Sequence, residues 1–436
     1  MKKIHVTTLG CSKNTVDSEV LTGQLEQNQF RVIERPEDAD ILILNTCGFI
    51  QDAKEESIQA IFEALKLKED DPAKKVFVSG CLSQRYRKEI EKEIPEVDAI
   101  FGTEDYQAIL STLGKHAALE NIYNQRKIST PRHYAYLKIS EGCNHSCSFC
   151  AIPAIRGKHR SRTVESLVEE TKKLAQHGAK ELILISQDTS YYGRDLYGKS
   201  MIVELLEHLQ NIAGIEWIRL LYWYPTNFPL EILELMKNGG KILPYLDMPV
   251  QHISDPVLRA MRRGDTRASL LKLFDSIRNK IPEIVLRTTL ILGHPEEREE
   301  DFRELLRFIG DIRFDRLGTF IYSDEENTSA FELPHKVPHE VAVERQRILM
   351  EAQREISLQR NRRHVGNTVR TLIDEFNPQT LTYSGRTYGD APEIDNEVLI
   401  PVEKENTILQ PGNFAMVKIT DASEYEIYGV CTDKKE

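Results

Sequence analysis

Three cysteines fall within eight residues in Cys143-Asn144-His145-Ser146-Cys147-Ser148-Phe149-Cys150, a C-x3-C-x2-C spacing. Three thiolates so spaced can hold three irons of a four-iron cluster, and such clusters normally take four cysteines. The fourth iron is then open to a ligand that is not protein. An open iron can chelate the amino and carboxylate groups of S-adenosylmethionine, and electron transfer from the cluster then breaks a sulfonium bond to yield a carbon radical. The competing reading is structural zinc, with His145 or His159 as the fourth ligand. The paired close dyads usual for zinc are absent.

A second set, Cys11, Cys47 and Cys81, is spread 36 and 34 residues apart. Each follows an apolar run that reads as a strand, and each has a glycine neighbour, Gly10, Gly48 and Gly80. In a parallel α/β sheet the carboxyl ends of the strands converge on one crevice, so the three thiols are candidates to meet. Free cysteines also serve as small buried hydrophobes, and that reading stays open for this set. Cys431, in the last expected strand, reads as packing.

The elements that must position these residues fall into four segments. Residues 1–118 alternate strands and helices: strands at 4–9, 39–44 and 76–78, and an amphipathic helix whose spacing aligns Ile58, Ile61, Phe62 and Leu65. This predicts a parallel α/β domain. Residues 119–135 are polar and contain Pro131, which reads as a linker. From 136 to 364 the alternation resumes, with strands expected at 136–139, 182–186, 217–222, 245–249, 284–292 and 316–322. Six βα units predict a partial or full βα (TIM-like) barrel, whose chemistry sits at the carboxyl ends of its strands. A helix over about 338–363 follows, with Val341, Val343, Ile348, Leu349, Ile356 and Leu358 as its apolar face. Residues 365–436 carry five short strands separated by Gly, Pro, Asn and Asp, which predicts a small antiparallel barrel of OB-like type.

Composition limits the function classes. The chain has 436 residues, a net charge of −11, 40% hydrophobic and 29% charged residues. That is the balance of a folded multidomain protein. No apolar run nears the roughly 20 residues of a membrane span. The start, Met1-Lys2-Lys3-Ile4-His5-Val6, lacks the apolar core of a signal peptide, so a cytosolic protein with reduced cysteines and no membrane association is expected. Seven cysteines, an odd number, argue against a closed disulfide framework. The charge is uneven: residues 365–436 hold 13 Asp and Glu against 6 Lys and Arg. An acidic barrel repels RNA and attracts a basic partner.

Taken whole, the chain resembles the radical S-adenosylmethionine methylthiotransferases, which carry an N-terminal three-cysteine domain, a central radical domain with C-x3-C-x2-C, and a C-terminal TRAM domain. The resemblance implies that Cys143, Cys147 and Cys150 bind the radical-generating [4Fe-4S] cluster. It implies that Cys11, Cys47 and Cys81 bind a second, auxiliary [4Fe-4S] cluster that carries the sulfur to be transferred. The stretches 9–19, 45–50, 185–190 and 390–395 (Leu9 to Glu19, Asn45 to Ile50, Ile185 to Ser190, Asp390 to Asp395) are similar to the branch of the family that acts on ribosomal protein S12. Members acting on tRNA typically differ there. The implied reaction replaces a hydrogen on the β-carbon of an S12 aspartate with a methylthio group, using two S-adenosylmethionine molecules and an electron donor. An unactivated C–H bond offers no acidic proton, which is why a radical is needed. The alternatives are the same chemistry on a tRNA adenosine, and a non-catalytic two-cluster electron carrier. One departure stands out: the family's usual Gly-Phe-Pro-Gly-Glu-Thr reads Gly293-His294-Pro295-Glu296-Glu297-Arg298 here.

Other residues carry weaker signals. Phe149 lies between cluster cysteines and is expected beside the S-adenosylmethionine site, or simply packed in its loop. Gln187 and Asp188 end the second barrel strand, a cofactor-binding position or a capped loop. Arg156, Lys158, Arg160 and Arg162 form a basic run that contacts the cofactor carboxylate or an acidic target, or is a solvated face. Gln251 and His252 follow the fourth barrel strand, where a polar barrel-mouth role fits, or His252 is a satisfied structural histidine.

Overall fold

The strand Ile41–Thr46, apolar from Ile41 to Leu44, is buried along its whole length, as a parallel strand covered on both faces must be. In the computed structural model, which describes residues 1–116, 122–237, 239–402 and 409–432, it is the centre of a parallel sheet. The sheet order is Arg31–Val32, Lys3–Thr8, Ile41–Thr46, Lys75–Gly80, Ala99–Ile100. The two outer strands have two residues each, too short to show a period, and were not expected. In the helix Gln51–Asp70, Ile61 and Leu65 are buried while Ile58 and Phe62 are 38% and 52% exposed, so only part of the expected face packs. The boundary expected between 118 and 119 lies outside the described residues.

The central segment is an open, parallel, six-stranded sheet: Tyr134–Lys138, Glu181–Ile185, Trp217–Leu220, Ile242–Asp247, Val285–Leu292 and Arg316–Ile321, neighbours in space in chain order. It is therefore a partial barrel. Its first strand begins inside the stretch expected as linker. That stretch is also not loose: buried Arg126 pairs with Glu19 at 3.4 Å and with Glu170 at 3.1 Å. The helix His339–Arg362 buries Ala342, Arg345, Leu349, Gln353 and Ile356, whereas Val341 and Val343 are 37% and 42% exposed. The packed face is partly polar because Arg345 meets Glu297 and Gln353 donates to the Phe314 carbonyl.

The last segment is a closed five-stranded barrel of Thr368–Asn377, Thr382–Arg386, Glu397–Pro401, Glu426–Cys431 and Phe414–Ala422. It is not wholly antiparallel: Glu397–Pro401 pairs in parallel with Glu426–Cys431. Cys431 packs partly against its core of Ile373, Val398, Val417, Ile419 and Ile427. The barrel docks on the amino-terminal ends of the central strands. Glu181 and Arg316, each first in its strand, bond Arg386 at 2.6 Å and Asp390 at 2.5 Å. Asp395 sits between the Tyr245 hydroxyl at 2.6 Å and Arg287 at 3.3 Å. The opposite, carboxyl-terminal ends are left to the N-terminal domain.

Candidate active site

Cys11, Cys47 and Cys81 all follow strands of the first sheet, and Cys81 opens the helix Cys81–Arg85. Gly10 adopts φ +92°, and a Cβ there would stand 2.7 Å from the Cys47 Cβ and 2.9 Å from its Sγ. A Cβ on Gly48 would stand 2.7 Å from the Leu82 Cα. Only glycine lets the three loops close to this extent. Asn14 ties them together: its amide donates to the Leu9 and Thr46 carbonyls at 2.7 and 3.2 Å, and its oxygen lies 3.8 Å from the Cys81 Sγ. The structure thus places the three cysteines of the second set around one point at the carboxyl end of the sheet.

The other set lies past the strand Tyr134–Lys138. Its loop is braced from three sides. The His145 ring stacks on Tyr224, with centroids 3.7 Å apart and planes 8° from parallel. His145 Nε2 lies 2.7 Å from Asp188, and the Tyr224 hydroxyl bonds the Cys147 thiol. On the far face of Tyr224 the Arg263 guanidinium lies 4.1 Å from the ring centroid. Phe149 is half-buried against Val257, Met261 and Ile291. His145 Nε2 is thus held by Asp188, and His159 Nε2 lies 3.1 Å from the Ser161 hydroxyl.

The two sets are neighbours. Cys81 packs directly on Ala151 and Ile155, in and beside the short helix Ile152–Arg156 that follows Cys150. At the end of that helix Arg156 hydrogen-bonds the Cys81 thiol, Asn14 at 2.5 Å, Asp17 at 3.0 Å, and both oxygens of Glu141 at 3.0 and 2.9 Å. Lys138 joins Asp17, Glu104 at 2.9 Å and Glu141 at 2.8 Å in the same buried network. Within the basic run Arg156 and Arg162 sit in largely buried ion pairs, with Asp17 and Glu170, whereas Lys158 and Arg160, the latter paired with Glu104, are exposed to solvent.

The donor set suits iron. None of the six thiols is in a disulfide. Burial pushes Cys81 and Cys150 up to about 12, and Cys143 up to about 11. Buried thiols of this kind become thiolates when a cation compensates them, which is what metal binding supplies. Each set offers three sulfurs, so each would leave one iron open. Polar groups converge beside them: Gln187 donates to Glu141 at 2.8 Å, while the Oε1 atoms of Gln187 and Gln251 and the Nε of Arg263 are buried with no partner among the described residues. Gln187 and Gln251 thus offer free acceptors for a bound polar cofactor. Asp188 already holds one partner on each oxygen, His145 on one and the Ser190 N–H at 2.9 Å on the other, so it positions the loop that carries His145. His252 is fully buried, and its Nδ1 accepts the Ser254 N–H at 3.0 Å.

Comparison with known proteins agrees. Ribosomal protein uS12 methylthiotransferase RimO of Flavobacterium psychrophilum is 50% identical, covering 98% of this chain and 97% of its own. The RimO proteins of Christiangramia forsetii and Aquifex aeolicus are 48% and 47% identical over 98% and 99% of this chain, and 94% and 98% of theirs. The chain belongs to the RimO methylthiotransferase family. Residues 3–102 match Uncharacterized protein family UPF0004, 137–309 the Radical SAM superfamily and 365–432 the TRAM domain. Among solved structures, the radical S-adenosylmethionine methyltransferase TsrM from Kitasatospora setae shares the fold at TM-score 0.54 and 14% identity, covering 73% of each chain. The cobalamin-dependent S-adenosylmethionine radical enzyme OxsB does so at TM-score 0.52 and 13% identity, covering 80% of this chain and 56% of its own.

In this RimO-family chain the altered stretch 293–298 is well packed. His294 lies 3.2 Å from the Ser148 hydroxyl and edge-on to Phe149 and Tyr322. Glu297 accepts the Gly293 N–H at 2.8 Å and pairs with Arg345 at 2.7 Å. The residues that sequence reasoning passed over are Tyr224, Arg263 and the specific roles of Lys13 and Asn14. The helix Ser12–Gln27 carried a signal for the last two: polar Lys13, Asn14, Asp17, Ser18 and Glu19 are all buried in it, as a helix lining a site rather than solvent would require.

Proposed function

We propose that this chain installs a methylthio group on the β-carbon of an aspartate side chain of ribosomal protein uS12. The observation that carries the reading is the juxtaposition of the two three-thiol sets through Cys81, Ala151 and Ile155, in a chain whose full-length relatives are named ribosomal protein uS12 methylthiotransferases. Cys143, Cys147 and Cys150 would hold the radical-generating [4Fe-4S] cluster, and Cys11, Cys47 and Cys81 the auxiliary one. When bound, the two clusters and S-adenosylmethionine supply the electron, the carbon radical that removes hydrogen, and the methylated sulfur that replaces it.

The chain's own residues do the rest. Asp188, His145 and Tyr224 fix the loop of the first set. Gln187 and Gln251 present their free oxygens to the cofactor, with Phe149 packed alongside. Arg156 places a permanent positive charge against the second set. The short helix Ile152–Arg156 and the contact of Cys81 with Ala151 and Ile155 keep the two sets adjacent, so that groups held at both would face one bound substrate.

The partner surface is more selective than the net charge implied. Of the acids in the last segment, Asp374, Asp390, Asp395 and Glu424 are engaged by arginines or His133. Glu375, Glu397 and Glu426 remain close enough together for burial and mutual repulsion to raise the Glu397 carboxyl. This edge would steer a basic protein such as uS12. Among the described residues no helix is long and apolar enough to cross a membrane. We place the reaction in the cytoplasm, with a reduced electron carrier as the donor.

Mass spectrometry of uS12 and of tRNA nucleosides from cells lacking the gene tests the reading. uS12 is expected to lose one methylthio group while tRNA is unchanged. Loss of a tRNA methylthio group with uS12 intact contradicts it.

A further inference from the structure

Lys13 lies two residues beyond Cys11 and is only 7% exposed. Its ammonium stands 3.5 Å from the centroid of the Tyr222 ring. Among the described residues it has no carboxylate, carbonyl or hydroxyl partner. A buried ammonium without a counter-ion is a costly arrangement, and one aromatic face compensates it only in part. Its ordinary partner would be Asp17, four residues on along the same helix. Both Asp17 oxygens are already taken, by Lys138 and Arg156. Arg156, not Lys13, is the cation that stands against the Cys81 thiol and offsets part of the rise that burial causes there.

The place where Lys13 points is defined from the other side. Tyr222 follows the strand Trp217–Leu220 at the carboxyl-terminal mouth of the partial barrel. It has φ +62°, a left-handed conformation that a bulky aromatic adopts only when its surroundings impose it. Two bonds impose it here: its N–H donates to Asp247 at 3.1 Å, and its carbonyl accepts the Thr189 N–H at 3.0 Å, one residue past Asp188. The ring is thus a fixed platform that holds one ammonium between the second cysteine set and the barrel mouth.

We propose that Lys13 is the receptor for the carboxylate of the substrate aspartate. The inference rests on the functional reading above and adds the residue that selects an acidic side chain. The reacting β-carbon is bonded directly to the carboxylate carbon. An ion pair from Lys13 therefore fixes that carbon beside the second cysteine set, and completes the neutralisation that the fold leaves open. An amide in place of the acid would leave the ammonium buried and uncompensated.

The test uses reconstituted holoenzyme and two forms of uS12. One carries the target aspartate, located from the mass of the wild-type product, and the other carries asparagine there. Dissociation constants are measured with oxidised enzyme. Wild type is expected to bind the aspartate form about tenfold more tightly. Lys13→Met is expected to bind both forms alike, and Lys13→Arg to keep the preference. Iron content of each variant reports whether the fold and both clusters are retained. A Lys13→Met enzyme with full iron that still prefers the aspartate form overturns the proposal, as does a wild type that binds both equally. If wild-type enzyme leaves uS12 unmodified, the functional reading fails first and this inference with it.

Discussion

The guanidinium of Arg156 donates to the Asp17 carboxylate at 3.0 Å, joining the helix that follows Cys150 to the helix that follows Cys11. The same group reaches Glu141, Asn14 and the Cys81 thiol. One planar cation thereby sets the relation between the two cysteine sets. Removing one member of a buried ionic network costs roughly 3–5 kcal/mol, because its partners stay buried and uncompensated. Arg156→Met should lower the thermal midpoint accordingly, read by loss of the visible absorbance of the clusters. Arg156→Lys should recover only part of it, since an ammonium cannot match the fork of contacts.

Asp188 acts through His145. With Asp188→Ala the imidazole loses its 2.7 Å partner, and the stack on Tyr224 loses its anchor. Outer-shell partners of metal sites are worth roughly 10- to 100-fold in affinity or activity. The variant should bind iron at the Cys143 set at least about tenfold more weakly, while iron at the Cys11 set stays in place. Iron analysis with electron paramagnetic resonance separates the two.

Burial lowers the His252 imidazole to about 3, so the native state holds it neutral. The unfolded chain titrates it near its ordinary 6.5. Between those values the unfolded state binds the extra proton, so stability falls as pH falls below 6.5. At pH 5 this one residue removes about 2 kcal/mol. The urea midpoint of wild type should drop between pH 7 and pH 5 by more than that of His252→Asn. Equal drops would remove His252 as the cause.

Charge at the acidic edge should act on encounter rather than on chemistry. Replacing Glu375, Glu397 and Glu426 with glutamine should slow uS12 association several-fold at low salt and flatten its salt dependence. Turnover of the bound complex should be unaffected. Stopped-flow association across ionic strength is the measurement.

Much of this was legible in the sequence, for identifiable reasons. C-x3-C-x2-C is local, so Cys143, Cys147 and Cys150 needed no fold to be found. Cys11, Cys47 and Cys81 required the inference that strand ends converge, and the parallel order of strands 3–8, 41–46 and 75–80 makes them do so. What was hidden was pairing over long separations. Arg156 meets Asp17, and Asp395 meets Tyr245, across 139 and 150 residues. The net charge of the last segment could be counted, but not which acids are already bound to the central domain. Helical periodicity misled where a buried face is polar: Arg345 and Gln353 pack inward while Val341 and Val343 stay outside.

The central claim is that two separate three-thiolate sites serve one transfer. Reconstituted wild-type enzyme, given S-adenosylmethionine, dithionite and uS12, should contain about eight irons per chain and yield both 5′-deoxyadenosine and methylthiolated uS12. The variant with Cys11, Cys47 and Cys81 all changed to alanine should hold about half the iron, still cleave S-adenosylmethionine, and add no methylthio group. Methylthiolated uS12 from that variant would contradict the account.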